Sequence, residues 1–434
     1  LVKRRLRGIA HWLGNLEPGS VALAAPFLLF PTFQPSWTIA ALVMLLAVWV
    51  LRWIGTGRPG EETPLDLPLL VLTAMIPVGV WASTLPEQTL PKLTGLILGL
   101  ATYRATIHAA RSDRSLRWSL AVFLAIGLAM AAVGLVGTIW ANKLPIVRSL
   151  LRDVPQLIRG LPGAEKGINA NELGGTLTLL LPVSLAASQI SFSKSGWGSK
   201  VVGLAAIVVT LCFGALLILT QSRSAWVGVG VGLGAMAWLR WRWAPWPLIG
   251  AALLLLGLGL VFLGPQAALQ TTLESADRVP IEPEGRIEIW NRALYAIQDF
   301  PITGCGLGTF RQVIHILYPL FFVGPGTDIG HAHNVFLQVA LDLGLPGLIA
   351  YLALVGTTFW LGWRVATAQS GAHRWLALGL VGALVAFHAY GLTDAIALGA
   401  KPGVAFWMVV ALTAALWTVD QGDLAAEPPG QEVA

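Results

Sequence analysis

What most constrains this chain is the recurrence of uncharged apolar stretches, each close to the ~20 residues that an α-helix needs to cross a hydrocarbon core of ~30 Å. About twelve such segments can be marked: 20–33, 36–52, 65–82, 90–107, 117–140, 173–190, 200–220, 224–239, 246–264, 334–362, 375–393 and 402–418. Only 12% of the 434 residues are charged, where a soluble domain carries roughly 25%, and the mean hydropathy is +0.71. The expected fold is therefore an all-α polytopic membrane protein with about twelve transmembrane helices. The first segment is short and interrupted by Pro26 and Pro31. The tenth is long and carries Gly344-Leu345-Pro346-Gly347, which predicts a kink or half-exposed turn inside it.

The formal charge of +6 is no sign of nucleic-acid binding, because the Lys and Arg residues form no basic stripe. They sit in short loops, where they report orientation. The basic start Lys3-Arg4-Arg5-Arg7 runs into the first apolar segment, which predicts a span with its N-terminus inside rather than a cleavable signal peptide. The short inside loops then hold Arg52 and Arg58, Arg104 to Arg117, Lys194 and Lys200, Arg240 and Arg242, and Arg364 and Arg374. The short outside loops hold Lys92, Arg223 and Lys401, an asymmetry in the sense of the positive-inside rule.

Two longer segments, 141–172 and 265–333, fall outside, and the first is basic through Lys143, Arg148, Arg152, Arg159 and Lys166. The expected organisation is a nine-span region 1–264, an extracytoplasmic helical loop domain 265–333, a three-span region 334–418, and a polar, disordered cytoplasmic tail 419–434. Cys212 lies in an apolar run and Cys305 in a polar loop, so no disulfide between them is expected.

Chemistry is then sought among the few polar groups on the outer side. Arg223 sits in Gln221-Ser222-Arg223-Ser224, a tight link between two spans. It either snorkels to the headgroups or faces a cavity and holds an anion, with Ser222 adding a donor. In the loop domain, Gly285 to Ile297 has helical spacing, with Ile287, Trp290, Leu294 and Ile297 on one stripe. Arg286 lies in its first turn, where free backbone N–H groups favour an anion; otherwise it is a solvated surface residue. Arg292 does not share its face. Gly304-Cys305-Gly306-Leu307-Gly308 lacks the preceding strand and following Lys of a nucleotide loop.

His331-Ala332-His333-Asn334 closes the loop and opens the tenth span. The two imidazoles can face the same side only in an extended segment, and no Asp/Glu/His set of recognisable spacing completes a metal site. His333 either caps the span or accepts a proton at near-neutral pH. His331, Arg311, Ser222 and Asn334 are secondary candidates. Tyr318 is an interfacial anchor or lines an acceptor groove.

Taken together these pieces resemble the O-antigen ligase and polymerase superfamily, membrane glycosyltransferases of the bacterial envelope. The resemblance rests on Asn171-Glu172-Leu173-Gly174, on Ser222-Arg223-Ser224-Ala225-Trp226, and on Gly285-Arg286-Ile287-Glu288-Ile289-Trp290 followed by Pro301 to Phe310. His333-Asn334, nine residues and Gly344 is similar to the ligase pattern, which ends in Thr where this chain has Gly347; another branch of the superfamily therefore stays open.

The resemblance implies a GT-C-like fold in the bacterial inner membrane, with both termini cytoplasmic and the site extracytoplasmic. It implies transfer of a glycan from a polyprenyl diphosphate to an acceptor hydroxyl on a lipid or glycan, with inversion and without metal or cofactor. His333 would be the base, and Arg223 and Arg286 the diphosphate ligands. A polysaccharide polymerase is the alternative within the superfamily. A bicarbonate or other solute transporter is the alternative outside that chemistry, with His108, His388 and Asp394 as its ionisable candidates.

Overall fold

The computed structural model describes residues 2–58, 60–140, 151, 154–155, 157–160, 167–192, 196–241, 243, 283–324 and 327–426. Helices dominate: α1 (Val2–Leu29), α2 (Pro35–Thr56), α3 (Asp66–Trp81), α4 (Pro86–Ala109), α5 (Asp113–Gly137), α6 (Ala170–Phe192), α7 (Trp197–Thr220), α8 (Arg223–Arg240), α9 (Pro283–Asp299), α10 (Phe310–Leu317), α11 (Val335–Ala368), α12 (Gly371–Gly391) and α13 (Gly403–Ala426). One departure from an all-α chain is a parallel pair of two-residue strands, β1 (Thr138–Ile139) and β2 (Ile168–Asn169), which ties the end of α5 to the start of α6. The expected span 246–264 lies outside the described residues; each of the others coincides with a helix. Among the described residues, seven helices, α2, α5, α6, α7, α11, α12 and α13, are long and apolar enough to cross a membrane.

Local signals explain several boundaries. Pro35 and Pro86 occupy first-turn positions, where a missing N–H costs nothing. Ser112 and Ser115 form a reciprocal capping box at the start of α5. Gly57 ends α2 in the left-handed conformation, its N–H on the Trp53 carbonyl.

Packing sorts the helices into layers. In α6 and α13 the hydrophobic windows are 89% and 83% buried, so these two form the centre. In α2 and α7 the corresponding figures are 22% and 28%, leaving apolar faces for lipid. α12 packs on α6 and α8, α11 on α3 and α12, and α13 on α4. The expected kink in the tenth span is present at Gly344 of α11 (φ 68°, ψ 179°). A Cβ there would collide with the Ile302 carbonyl, and the following N–H, from Leu345, donates to Pro301 O at 2.7 Å. The kink is thus a socket for the loop that follows α9.

α9, α10 and the segment to Ala332 build a small core of their own around Ile289, Ala293, Phe310, Ile314 and Ile329. Its orientation corrects the expected stripe. Ile287 and Leu294 are exposed, and Arg286, Ile289, Ala293 and Ala296 face inward. The small side chains allow α9 to approach α11, so the bulky residues are left on the outer face. Tyr318 is buried and donates to Asp299 at 2.7 Å, which makes it a structural residue and not a groove lining.

Two further expectations are corrected at the opposite end of the bundle. Arg52, expected in a short inside loop, lies within α2, buried and paired with the fully buried Glu17, which Arg104 also reaches at 3.3 Å. The tail does not begin at 419: α13 continues to Ala426, and buried Asp420 faces His373 Nδ1 at 3.6 Å. Opposite charges within reach let these groups be buried where an isolated charge would not be. Cys212 and Cys305 are both free thiols.

Candidate functional site

Four chain segments deliver polar groups to one end of the bundle. The first is the α7–α8 link, where Gln221 closes α7 with φ 53° and Ser222 precedes Arg223, the first residue of α8. Ser222 is buried, and its hydroxyl has no hydrogen-bond partner among the described residues. Gly174 near the start of α6 allows this turn to pack closely, since a Cβ there would sit 3.0 Å from the Cβ atoms of Ser222 and Ala225.

The second segment is the first turn of α9. Arg286 is buried there and donates from Nη1 to the Thr393 carbonyl at 2.8 Å. The third is the approach to α11. Asn334 caps this helix, accepting from the N–H groups of Phe336 (3.0 Å) and Leu337 (3.1 Å), and donates to Leu392 O at 3.0 Å. The fourth is the connector 392–402 after α12. Thr393 Oγ1 meets Ser224 Oγ at 3.0 Å, so Thr393 is the common neighbour of the Arg223 turn and Arg286.

Asp394 completes the arrangement. It is buried, with Oδ1 3.5 Å from His333 Nδ1 and 3.6 Å from His331 Nε2. The two imidazole rings lie 4.4 Å apart between centroids, on one side of a non-helical segment, as their two-residue spacing requires. Burial by itself would raise the Asp394 carboxyl. The His333 imidazole beside it, with the charges of His331 and Arg286, outweighs that and holds the pKa down at about 2. The Ala395 N–H also donates to Oδ1 at 2.8 Å, while Oδ2 is buried without a hydrogen-bond partner among the described residues.

Backbone strain concentrates at the same place. Among the described residues, the non-glycine residues in the left-handed region are Gln221 and His333 (φ 49°). One aims the Arg223 turn and the other is the candidate base. Left-handed non-glycine residues cluster at functional sites because the surrounding structure must hold them there.

The histidine segment is held from behind. Gln338 Oε1 accepts from the Ala332 N–H (2.9 Å), and its amide donates to Asp342 Oδ1 (3.0 Å). That same oxygen accepts from the Gly308 N–H (3.0 Å). The glycine-rich loop therefore docks α9 and α10 onto α11 and supports the loop between the histidines. Neither Gln338 nor Asp342 was expected from the sequence, where each sits inside an apolar run; Asp342, a charge within a span, was the available signal.

The other expected residues divide. His331 and Asn334 belong to the cluster. Arg311 is paired with Asp328. Arg292 donates to Pro319 O at 3.0 Å and lies near Glu288 at 3.8 Å, which makes it a support of the loop domain. His388 is buried in the bundle, its Nε2 2.8 Å from the Tyr351 hydroxyl and its Nδ1 2.7 Å from Leu384 O. His108 belongs to the Arg52–Glu61 network at the far end. These two transporter candidates are thus engaged in structural contacts, and the third, Asp394, belongs to the histidines.

The ligand atoms of His331, His333 and Asp394 lie within 4.8 Å of one another, so the trio could also hold a divalent metal. The spacing argument in the sequence missed this set because its third member comes from another loop, 61 residues beyond His333.

A helical membrane protein with a cationic, imidazole-bearing site beneath a small helical subdomain is the class that this fold and site define. Residues 206–352, which hold Arg223, Arg286 and both histidines, match the family model described as O-antigen ligase. An O-antigen ligase from Pseudomonas aeruginosa is 30% identical over 154 residues, a match that spans 34% of this chain and 34% of that protein. Over this region the chain is similar to the O-antigen ligase family.

Proposed function

We propose that this protein transfers a glycan from a polyprenyl-diphosphate carrier to an acceptor hydroxyl at the outer face of the bacterial plasma membrane. The observation that carries the proposal is the Asp394 carboxylate 3.5 Å from His333, in a connector that also receives Arg286 and touches the Arg223 turn. In this reading the chain crosses the membrane about twelve times with both termini cytoplasmic. Residues 265–333 form the extracytoplasmic loop domain between membrane regions 1–264 and 334–418.

The chemistry follows from the groups present. With Nδ1 turned to Asp394, Nε2 is the nitrogen of His333 that takes the acceptor's proton. The acceptor oxygen forms a bond to the anomeric carbon as the bond from that carbon to the diphosphate oxygen breaks. A single displacement inverts the anomeric configuration. The electron pair leaves with the diphosphate, whose growing charge needs cations and not a strong acid. Arg223 and Arg286 supply planar, permanently charged donors for it, without a metal in the reaction. Ser222, with its buried hydroxyl, adds a neutral donor beside Arg223.

The same machinery serves a ligase or a polymerase, which differ in whether the acceptor is a different lipid-borne molecule or another carrier-linked glycan. Gly347, where the ligase pattern has Thr, keeps the polymerase as the second reading. The deciding experiment is glycan transfer by purified protein with a defined polyprenyl-diphosphate glycan. Loss of transfer in both His333→Ala and Arg223→Ala, with the fold retained, is the expected result. Retained transfer in both removes the mechanism.

A further inference from the structure

His333 stands in a strained conformation, and its neighbours must hold it there. Its φ of 49° lies in the left-handed region, which is unfavourable for a residue with a Cβ unless surrounding bonds impose it. The residues on either side are each pinned. The Ala332 N–H donates to Gln338 Oε1, and the Asn334 side chain caps α11. The strained residue itself is pinned by His331, whose Nδ1 accepts from the His333 backbone N–H at 3.1 Å.

That bond decides where the ring protons sit. A backbone N–H can only donate, so His331 Nδ1 presents its lone pair, and in the neutral ring the proton is on Nε2. Nε2 faces Asp394 Oδ1 at 3.6 Å. His333 meets the same oxygen from its Nδ1, at 3.5 Å. The two imidazoles thus take opposite tautomers around one carboxylate oxygen, which leaves Nε2 as the basic nitrogen of His333. Both nitrogens of His331 are committed, one to the backbone of its neighbour and one to the carboxylate, so neither is placed to take a proton from an acceptor.

We infer that His331 is a positioning residue, which grips the base through its backbone and through its carboxylate at once and so sets the direction of His333 Nε2. The inference rests on the reading of His333 as the base. Without His331, the His333 side chain keeps Asp394, but its backbone relaxes from the left-handed region and carries the ring with it. The chain uses the same spacing elsewhere with an asparagine: Asn169 Oδ1 accepts from the Asn171 N–H at 2.8 Å. An asparagine at 331 therefore restores the backbone grip without the contact to Asp394.

The test compares the full-length wild type with His331→Ala and His331→Asn, by initial rates of glycan transfer and by hydrogen exchange at the His333 amide. His331→Ala should lower kcat by roughly 10–100-fold, the scale of a misplaced catalytic group. The KM values for donor and acceptor should stay within about twofold, because no binding group is lost. His331→Asn should recover kcat to within about threefold of wild type, since an Asn side chain accepts from the N–H two residues on. The His333 amide should exchange about tenfold faster in His331→Ala and stay protected in His331→Asn. Wild-type kcat in His331→Ala, a loss through KM, or an Asn variant as slow as the Ala variant overturns the inference. Hydrogen exchange keeps it apart from the mechanism. If His333→Ala retains transfer, the base reading fails; equal exchange in all three proteins then rejects the grip as well, and loss of protection in His331→Ala alone upholds it.

Discussion

Oδ1 of Asp394 lies 3.5 Å from Nδ1 of His333, and this pairing joins two ends of helices that are 61 residues apart in the chain. A carboxylate on one imidazole nitrogen selects the tautomer whose other nitrogen can accept a proton. His333→Ala should therefore lower transfer by about 10²–10⁴-fold, the usual worth of a positioned base. Asp394→Asn should cost less but at least about tenfold, since a single unit of basicity is already that much. Initial-rate assays on both variants check the order; an Asp394→Asn enzyme with wild-type rates removes the pairing from the mechanism.

The low pKa of Asp394, about 2 in the folded chain against an ordinary value near 3.9, fixes a pH window. A carboxylate depressed on folding stabilises the fold above its unfolded pKa and loses that contribution as pH falls through its folded value. The contribution, roughly 2–3 kcal/mol, should be present at pH 5 and fade between pH 4 and 2. Thermal melts of wild type and Asp394→Asn between about pH 5 and 2 should show a gap that closes in acid. A gap that stays unchanged down to about pH 2 would contradict the assignment.

Gln338 links the Ala332 N–H to Asp342, and Asp342 to the Gly308 N–H. Gln338→Leu keeps the volume and leaves buried partners unsatisfied, at about 1–3 kcal/mol. Transfer should fall through kcat with KM for the acceptor unchanged, because the base is displaced and the binding groups are not. A rise in KM alone would place Gln338 in substrate binding instead.

Gly344→Ala tests the socket. Its φ of 68° with extended ψ suits glycine, and a Cβ would strike the Ile302 carbonyl. The cost should be at least roughly 1–3 kcal/mol. Limited proteolysis should cut the 301–308 loop faster in the variant than in wild type. Unchanged cleavage would mean that the loop is held without the kink.

Because His331, His333 and Asp394 also form a plausible ligand set, chelation separates two chemistries at one site. Transfer should be unaffected by prolonged dialysis against a chelator, and added Zn²⁺ should inhibit by occupying the base. Activity lost to the chelator and restored by a divalent ion would replace the imidazole base with a metal.

Much of the architecture was legible because a hydrocarbon solvent imposes simple requirements. Length and hydropathy mark helices wherever the chain must satisfy its own backbone hydrogen bonds. Motifs with local geometry were also readable: the Ser222-Arg223 turn and the Gly344 break at fixed distance from His333, although the cap of that helix is Asn334 and not His333. The inward face of α9 was misread because periodicity locates apolar residues without telling whether they face protein or lipid, and here Ala293 and Ala296 faced protein.

The sequence by itself determined a helical membrane chain with a few cations and imidazoles gathered near one set of loop ends, since hydrophobic length and charge placement are local properties. Only the tertiary structure decided that Asp394 belongs to the histidines and that Arg52 is buried against Glu17. Those pairings depend on which helix ends meet. That is set by small-residue packing between distant helices, as where Gly174 meets the Ser222 turn, and leaves no mark at fixed spacing along the chain.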